Sequence, residues 1–151
     1  MKTSVAGLTF FLTLAVVSLK ARNNHSFAQN LVHEIKAAHP EIAGLELAAT
    51  KPGTGCQTIA ATEAEEIGQK CDEDELTAKT TNRPFIEEEK TEFDVTLPIH
   101  DSAGKVIATA GMDFKLKAGR TKETVVREAS KIGAELERRL TSESELFRPA
   151  E

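Results

Sequence analysis

The feature that most constrains the fold is the stretch Phe93–Phe114, which predicts two β-strands joined by a tight turn. Apolar and polar residues alternate up to His100 and again from Lys105 onward. Alternation with a period of two is typical of strands that present one apolar face. Between the two arms, Asp101–Gly104 supplies an aspartate that opens turns and a glycine that tolerates a positive φ. The stretch therefore predicts an antiparallel hairpin.

Two amphipathic helices are predicted, one near each end of the chain. Apolar residues recur at intervals of three or four in Phe27–Ala38 and in Thr121–Leu140, which is the spacing of one helix face. The first helix ends before Pro40, because proline disfavours helical geometry in the residue that precedes it. Residues 141–151, after the second helix, are expected to form a frayed tail.

A second hairpin and a short helical insert are predicted between the first helix and the long hairpin. Ile42–Thr50 and Cys56–Thr62 indicate strands on either side of a glycine-rich turn. In the insert, Thr62 and Glu65 have the spacing of a capping box, and Asp72–Lys79 forms a second acidic helical piece. Residues 82–84 break the helical pattern, and the charged stretch Glu87–Lys90 then leads into the long hairpin. This order predicts an α+β fold, with an antiparallel sheet of about five strands flanked by the N- and C-terminal amphipathic helices.

The closing hairpin resembles that of Cache and related PAS-like sensor domains. In those domains one strand ends in Pro-Ile-x-Asp, the chain continues as Gly-Lys-Val-Ile, and the last strand ends near an aspartate. The matching residues here are Pro98, Ile99, Asp101, Gly104, Lys105, Val106, Ile107 and Asp113. The order of elements from Phe27 to Phe114 is also similar to that of a single Cache domain.

The resemblance implies a ligand in the hollow between the sheet and the helical insert. The candidate ligand-binding residues lie on the polar faces of the strands or in the insert: Thr58, Arg83, Asp94, Thr96, His100, Thr109 and Asp113. Arg83 would clamp a carboxylate and Asp113 would hold an ammonium or hydroxyl group, which suits a zwitterionic or carboxylated ligand. Gly111 would let a ligand approach the backbone closely. The alternative is that these side chains face solvent, with Arg83 paired to one of the glutamates at 87–89.

The N-terminus has the pattern of a signal peptide. A single lysine precedes an apolar run, Val5–Leu19, which is shorter than the roughly 20 residues that span a bilayer. Ser26 and Ala28 satisfy the small-x-small cleavage rule, so residues 1–28 are expected to be removed and the domain to occupy 29–140. The sequence therefore predicts a periplasmic or secreted protein. A membrane-anchored form that keeps its N-terminus is the alternative, because two basic residues lie between the apolar run and the cut.

The two cysteines, Cys56 and Cys71, predict a disulfide in an exported protein. An even pair in an oxidising compartment favours a bridge, and the alternative is two reduced, half-buried thiols. Neither cysteine has a histidine nearby in the sequence, and their spacing is not that of a thioredoxin-like centre. Neither a metal site nor a redox centre is therefore expected at this pair.

Composition and motifs argue against several functions. The formal net charge is −5, and the chain has no Trp, no Tyr and no basic stripe, so nucleic acid is not an expected partner. The sequence has no Gly-x-Ser-x-Gly elbow, no P-loop and no EF-hand pattern. Neither enzymatic activity nor a cofactor is therefore expected.

Two classes of function remain. The first is an exported small-molecule sensor module that has no output domain of its own and hands its state to a separate, membrane-bound signalling protein. The second is a protein–protein interaction module with a filled core and no ligand, which forms a homodimer through its two amphipathic helices.

Overall fold

One sheet and its covering helices account for residues 26–150, which are the residues that the computed structural model describes. Residues 1–25, which make up most of the predicted leader, lie outside the described residues. The elements are α1 Phe27–Ala38, β1 Leu45–Lys51, β2 Gly55–Ala61, α2 Glu73–Thr81, β3 Phe85–Glu88, β4 Glu92–His100, β5 Val106–Lys115, α3 Lys122–Arg139 and α4 Glu143–Leu146. Ala64–Glu66 form a single 3-10 turn between β2 and α2.

The five strands form one antiparallel sheet in the order β2-β1-β5-β4-β3. This confirms the predicted α+β class and the five-stranded sheet. The predicted long hairpin is β4 and β5, which pair along their full length. Its turn is held by the Asp101 carboxylate, which accepts the backbone N–H groups of Ala103 and Lys105 at 2.9 Å. Gly104 takes the positive φ of the turn, +81°.

The strand β3 differs from the sequence-based expectation. The charged stretch that was expected only to lead into the long hairpin belongs in part to a short edge strand, which pairs with β4. Phe85 and Ile86 are half-buried, whereas Glu87 and Glu88 are exposed. Charged side chains suit an edge strand because they discourage pairing with another chain, but they also hide the apolar alternation that identifies a strand.

One face of the sheet carries the hydrophobic core and is covered by α1, α3 and α4. The predicted apolar stripes of the two long helices are buried there: Leu31, Val32 and Ile35 from α1, and Val125, Ala129, Ile132 and Leu136 from α3. They pack against strand residues that include Leu47 and Phe114. Each fully buried aliphatic side chain contributes about 1.5–3 kcal/mol to stability. Within residues 26–150, no helix combines the length and the apolar character needed to cross a bilayer.

The C-terminal segment packs against the core, which corrects the expectation of a frayed tail. Leu140 and Leu146 are buried, and α4 contacts α1. The Phe27 N–H donates to the Arg148 carbonyl at 2.8 Å, and the Arg148 guanidinium lies 4.1 Å from the centroid of the Phe27 ring. Ser26 also belongs to this end of the fold, because it caps α1. The folded unit therefore extends beyond the expected range 29–140 at both ends.

The opposite face of the sheet is covered by the helical insert, residues 62–82. Near its middle, the disulfide between Cys56 and Cys71 joins the insert to β2 with a Cα–Cα distance of 5.4 Å. This confirms the predicted bridge. The backbone of the segment also pairs with the outer edge of β2, where the Thr58 N–H donates to the Gln69 carbonyl at 2.9 Å. The insert therefore covers the edge strand as well as the sheet face.

The helix α2 begins and ends at well-defined caps. Asp72 forms a complete capping box with Glu75, and Asn82 ends the helix in the left-handed conformation at φ +53°. The capping box expected at Thr62 is absent. The Thr62 hydroxyl instead accepts the Leu45 N–H at 3.2 Å, and the 3-10 turn that follows has no side-chain cap. The Thr62 side chain therefore contacts β1 and does not cap a helix.

Candidate functional site

A cavity of about 140 Å³ lies between the sheet and the helical insert. It is lined by one apolar side chain, four carboxylates and one glycine: Leu45, Glu46, Glu66, Asp94, Gly111 and Asp113. The strands β1, β4 and β5 supply the floor, and Glu66 belongs to the 3-10 turn of the insert. The described lining contains no lysine, arginine or histidine. The cavity is therefore a small, acidic site.

The sheet register brings the floor residues together. Asp94 on β4 lies directly opposite Asp113 on β5, and Gly111 on β5 lies directly opposite Glu46 on β1. A Cβ atom added to Gly111 would come within 2.9 Å of a Glu46 carboxylate oxygen. The absence of a side chain at this position is therefore what leaves room for the Glu46 carboxylate on the cavity floor.

Burial and mutual repulsion raise the pKa values of the carboxyl groups in the cavity. Burial and then the Asp113 charge raise the pKa of Asp94 to about 7. Burial and then the charges of Glu92 and Glu46 raise the pKa of Asp113 to about 6. The pKa of Glu66 is also raised, by burial and by Glu46 and Asp113. Like charges directly opposite one another in a sheet are destabilising, so the site carries an electrostatic cost that a cation would relieve.

Glu75 on α2 extends this carboxylate group above the sheet. Its side chain is 6% exposed, and it accepts the Asp72 N–H at 2.7 Å as part of the capping box. Burial and hydrogen bonds to Asp72 and Glu46 raise the pKa of Glu75 to about 8. Thr58 supports the same network from β2, because its hydroxyl donates to Glu46 at 3.1 Å. Glu46 therefore connects the cavity floor to α2.

The structure brings several of the predicted ligand-binding residues to this face of the sheet. Asp94 and Asp113 line the cavity, and Thr58 contacts it through Glu46. Thr96 and Thr109 are buried strand residues outside the lining. The Thr109 hydroxyl has no hydrogen-bond partner among the described residues.

The predicted pairing of Arg83 with Asp113 across one hollow is not formed. Arg83 is exposed on the connection between α2 and β3 and does not line the cavity. An X-Pro connection after a left-handed helix cap turns the chain away from the helix. Glu46 and Glu66 line the cavity although neither was among the predicted ligand-binding residues. Glu46 alternates with Leu45 and Leu47 and was identifiable as a polar-face residue, whereas Glu66 carries no periodic signal.

His100 lies apart from the acidic cavity, beside a second groove of about 250 Å³ between α3 and the end of β4. Its Nδ1 lies 2.6 Å from Glu137 Oε1, and its Nε2 lies 2.6 Å from Asn82 Oδ1. The predicted ligand-binding residue is therefore a bridging side chain between two helices.

No group of three or more His, Cys, Asp or Glu side chains within residues 26–150 has the arrangement of a metal site. The acidic cavity therefore lacks the converging ligand set of a metal centre, although it presents acceptors to hydrogen-bond donors. Carboxylates accept short, charge-assisted hydrogen bonds from ammonium and guanidinium groups. The cavity can therefore bind ammonium or guanidinium groups.

Comparison with solved structures identifies the fold. The chain is similar to the GAF domain of an Acinetobacter phosphoenolpyruvate-protein phosphotransferase, with a TM-score of 0.53, 12% identity, and coverage of 80% of this chain and 82% of that one. It is also similar to a type II free methionine-R-sulfoxide reductase from Thermoplasma acidophilum (TM-score 0.49, 17% identity, 75% and 95% coverage). A light-oxygen-voltage domain is more distant, with a TM-score of 0.36, 14% identity, and 68% and 96% coverage.

The sequence comparisons give no further assignment. No protein-family model matches the chain, and no curated protein sequence matches it. The structural likeness at 12% identity shows the fold alone. The chain has the small α+β fold of that GAF domain.

Proposed function

We propose that this chain is a sensor module that binds a small, positively charged ligand in the acidic cavity between the sheet and the helical insert. The observation that carries the proposal is the described lining of that cavity, which includes four carboxylates and no basic side chain. The sensory fold supports the class of function. The acidic lining supports a positively charged ligand. We therefore propose such a ligand in place of the zwitterionic or carboxylated one expected from the sequence, because Arg83 does not reach the site.

The volume of the cavity limits the size of the ligand. The cavity volume is about 140 Å³. Drug-sized ligands occupy pockets of roughly 300 Å³ or more. A simple amine or guanidine of a few non-hydrogen atoms therefore fits better than a nucleotide or a flavin. Hydrogen bonds to charged groups contribute about 1.5–3 kcal/mol each.

Binding is expected to be coupled to proton release. At neutral pH Asp94 is partly protonated, because its pKa is raised to about 7. A bound cation favours the charged form of the carboxyl groups around it. The affinity should therefore rise between pH 6 and pH 8, as Asp113 and Asp94 give up their protons. A purely apolar ligand would show no such dependence.

We also propose that the protein is exported and signals through a separate, membrane-bound partner. The disulfide between Cys56 and Cys71 supports export, because such bridges persist in oxidising compartments. The signal-peptide pattern of the N-terminus supports the same proposal. Ser26 caps α1 and Ala28 is fully buried, so a cut before Ser26 would preserve the fold better than one after Ala28. N-terminal sequencing of the extracytoplasmic protein tests the proposed export and locates the cleavage site.

An interaction module is the second candidate, and exposed apolar side chains favour it. Ile67, Leu76, Leu116 and Phe147 are each more than a third exposed. The apolar stripes of α1 and α3, through which a homodimer was expected, are buried against the sheet. A dimer would therefore use exposed apolar side chains of this kind in place of the helix stripes. Sedimentation at micromolar concentration distinguishes a dimer from a monomer.

A thermal-shift experiment at pH 8 tests the ligand proposal. The cationic probes are methylammonium, putrescine and agmatine, and the anionic comparisons are acetate and succinate at the same ionic strength. A ligand at ten times its Kd stabilises the folded state by about 1.4 kcal/mol, which raises Tm by several degrees. Stabilisation by a cation that is lost in Asp113→Asn and retained in Glu65→Gln supports the proposal. Stabilisation by the anions alone would refute a cationic ligand, and stabilisation by none of the probes would favour the interaction module.

A further inference from the structure

We propose that His100 couples the helical insert above the cavity to α3 on the opposite face of the sheet. The link is a physical connection between the two layers of the domain, and its role in signalling rests on the proposed function. It would make the position of α3 depend on what the cavity holds.

The contacts of His100 carry this inference. His100 is the last residue of β4, where the pairing with β5 becomes irregular between Ile99 and His100. Its ring nitrogens lie 2.6 Å from Asn82 Oδ1, at the end of α2, and 2.6 Å from Glu137 Oε1, on α3. The His100 backbone N–H donates to the same Glu137 oxygen at 3.0 Å. The ring therefore contacts the two layers that cover opposite faces of the sheet.

The bridge is the direct polar route between the two layers in the part of the chain that the structure describes. Among residues 26–150, no hydrogen bond or ion pair joins α2 to α3 directly, and His100 is the side chain that hydrogen-bonds to Asn82 and Glu137 together. A groove that Leu97 and Gly133 help to line lies beside the ring. A displacement of Asn82 would reach the ring through the contact between Asn82 Oδ1 and His100 Nε2.

The cavity is connected to Asn82 through α2. Glu66 lines the cavity in the turn that precedes α2, and α2 itself packs on β4 and β5, which carry the floor of the cavity. The Glu46 carboxylate on that floor also helps to raise the pKa of Glu75 on α2. A ligand that moves either carboxylate therefore acts on α2. The disulfide at Cys71 restrains the segment just before this helix. Motion is then expected at the free end, which is Asn82.

The test needs no ligand, because Gly111→Ala imitates an occupant of the cavity. The added Cβ would lie 2.9–3.0 Å from Glu46 side-chain atoms, so Glu46 must move. Asn82→Gly removes the link to His100 and keeps the left-handed backbone, which glycine adopts without strain. The measurement is amide hydrogen exchange of residues 134–140, the end of α3, in the intact disulfide-bonded protein.

In the parent background, Gly111→Ala is expected to change exchange at residues 134–140 by about fivefold or more, the lower end of typical allosteric coupling. When Asn82→Gly is also present, the change should fall below about twofold. Glu137→Ala removes the other partner of His100 and should give the same result. The control, Lys131→Gln, lies on the exposed face of α3 and should not reduce the response. An equal response with and without the Asn82 side chain, including no response in either background, would overturn the coupling. If the coupling is observed but no probe stabilises the protein, only the proposed sensor function is refuted. If a probe stabilises the protein but the coupling is absent, only the proposed role of His100 is refuted.

Discussion

Replacement of Asp94 by Asn is expected to stabilise the domain at pH 8 and to leave its stability near pH 4 almost unchanged. Burial and the Asp113 charge raise the pKa of Asp94 from 3.8 to about 7. Below pH 3.8 the carboxyl group is protonated in both the folded and the unfolded state. As the pH rises from about 4 to 7, the unfolded chain releases this proton and the folded chain keeps it, so the free energy of unfolding falls. An amide at position 94 escapes this loss.

The size of the effect follows from the same pKa values. At about 1.36 kcal/mol per pKa unit, a pKa raised from 3.8 to about 7 corresponds to about 4 kcal/mol at most. Asp94 is only partly buried, so water and salt screen a large part of that interaction. We therefore expect Asp94→Asn to increase the free energy of unfolding by about 1–2 kcal/mol at pH 8. The gain should be accompanied by weaker binding of a cation.

Urea unfolding at pH 4 and pH 8 measures the difference. Far-UV circular dichroism is the suitable signal, because the chain has neither Trp nor Tyr. A higher midpoint with an unchanged m-value reports a change in stability alone. Glu65→Gln, an exposed carboxylate in the same insert, is the control and should lie within about 0.5 kcal/mol of the parent. If Asp94→Asn is no more stable than the parent at pH 8, or if the gain is equal at both pH values, the electrostatic account of the cavity is wrong.

Three further predictions concern the rest of the fold. Cys71→Ser should lower the free energy of unfolding by about 3 kcal/mol, since it opens a disulfide with a sequence separation of 15; equal urea midpoints for the variant and the oxidised parent would contradict it. Burial opposes protonation of His39, but hydrogen bonds to Glu135 and Glu41 outweigh it and raise its pKa above 6.5. His39→Gln should therefore cost more stability at pH 5.5 than at pH 9, because the parent loses this contribution as the pH rises through the folded-state pKa; a cost that does not depend on pH would refute the ion pair. Ser26→Ala should cost about 1 kcal/mol, because it removes the N-cap of α1; unchanged thermal unfolding would show that the cap contributes nothing.

The elements with strong periodicity were predictable from the sequence, and those without it were not. The alternation in β4 and β5 and the apolar stripe of α3 each report one buried face, so their positions follow from the pattern alone. The segment β3 is too short and too charged to show alternation. The burial of Leu146 depends on where α4 meets α1, which is a tertiary contact that no local pattern encodes.

Two residues of the cavity floor were predicted from the sequence, but the wholly acidic character of the site was not. Asp94 and Asp113 were identifiable because strand alternation places both on the polar face. The register between β1 and β5 puts Glu46 opposite Gly111, and a register between distant strands cannot be read from one sequence. Arg83 was expected at the site on the basis of charge complementarity. Its actual position depends on the left-handed cap at Asn82, which directs the chain out of the insert.

An NMR titration of the disulfide-bonded protein at pH 8 tests the central claim most directly. The probe is the amine among methylammonium, putrescine and agmatine that stabilises the protein most, added to the ¹⁵N-labelled chain. We expect saturable shifts of the backbone amides of Glu46, Asp94, Gly111 and Asp113, and their loss in Asp113→Asn. Shifts confined to the groove beside His100, or no saturable shift with any of the three amines, would contradict a cation site between the sheet and the helical insert.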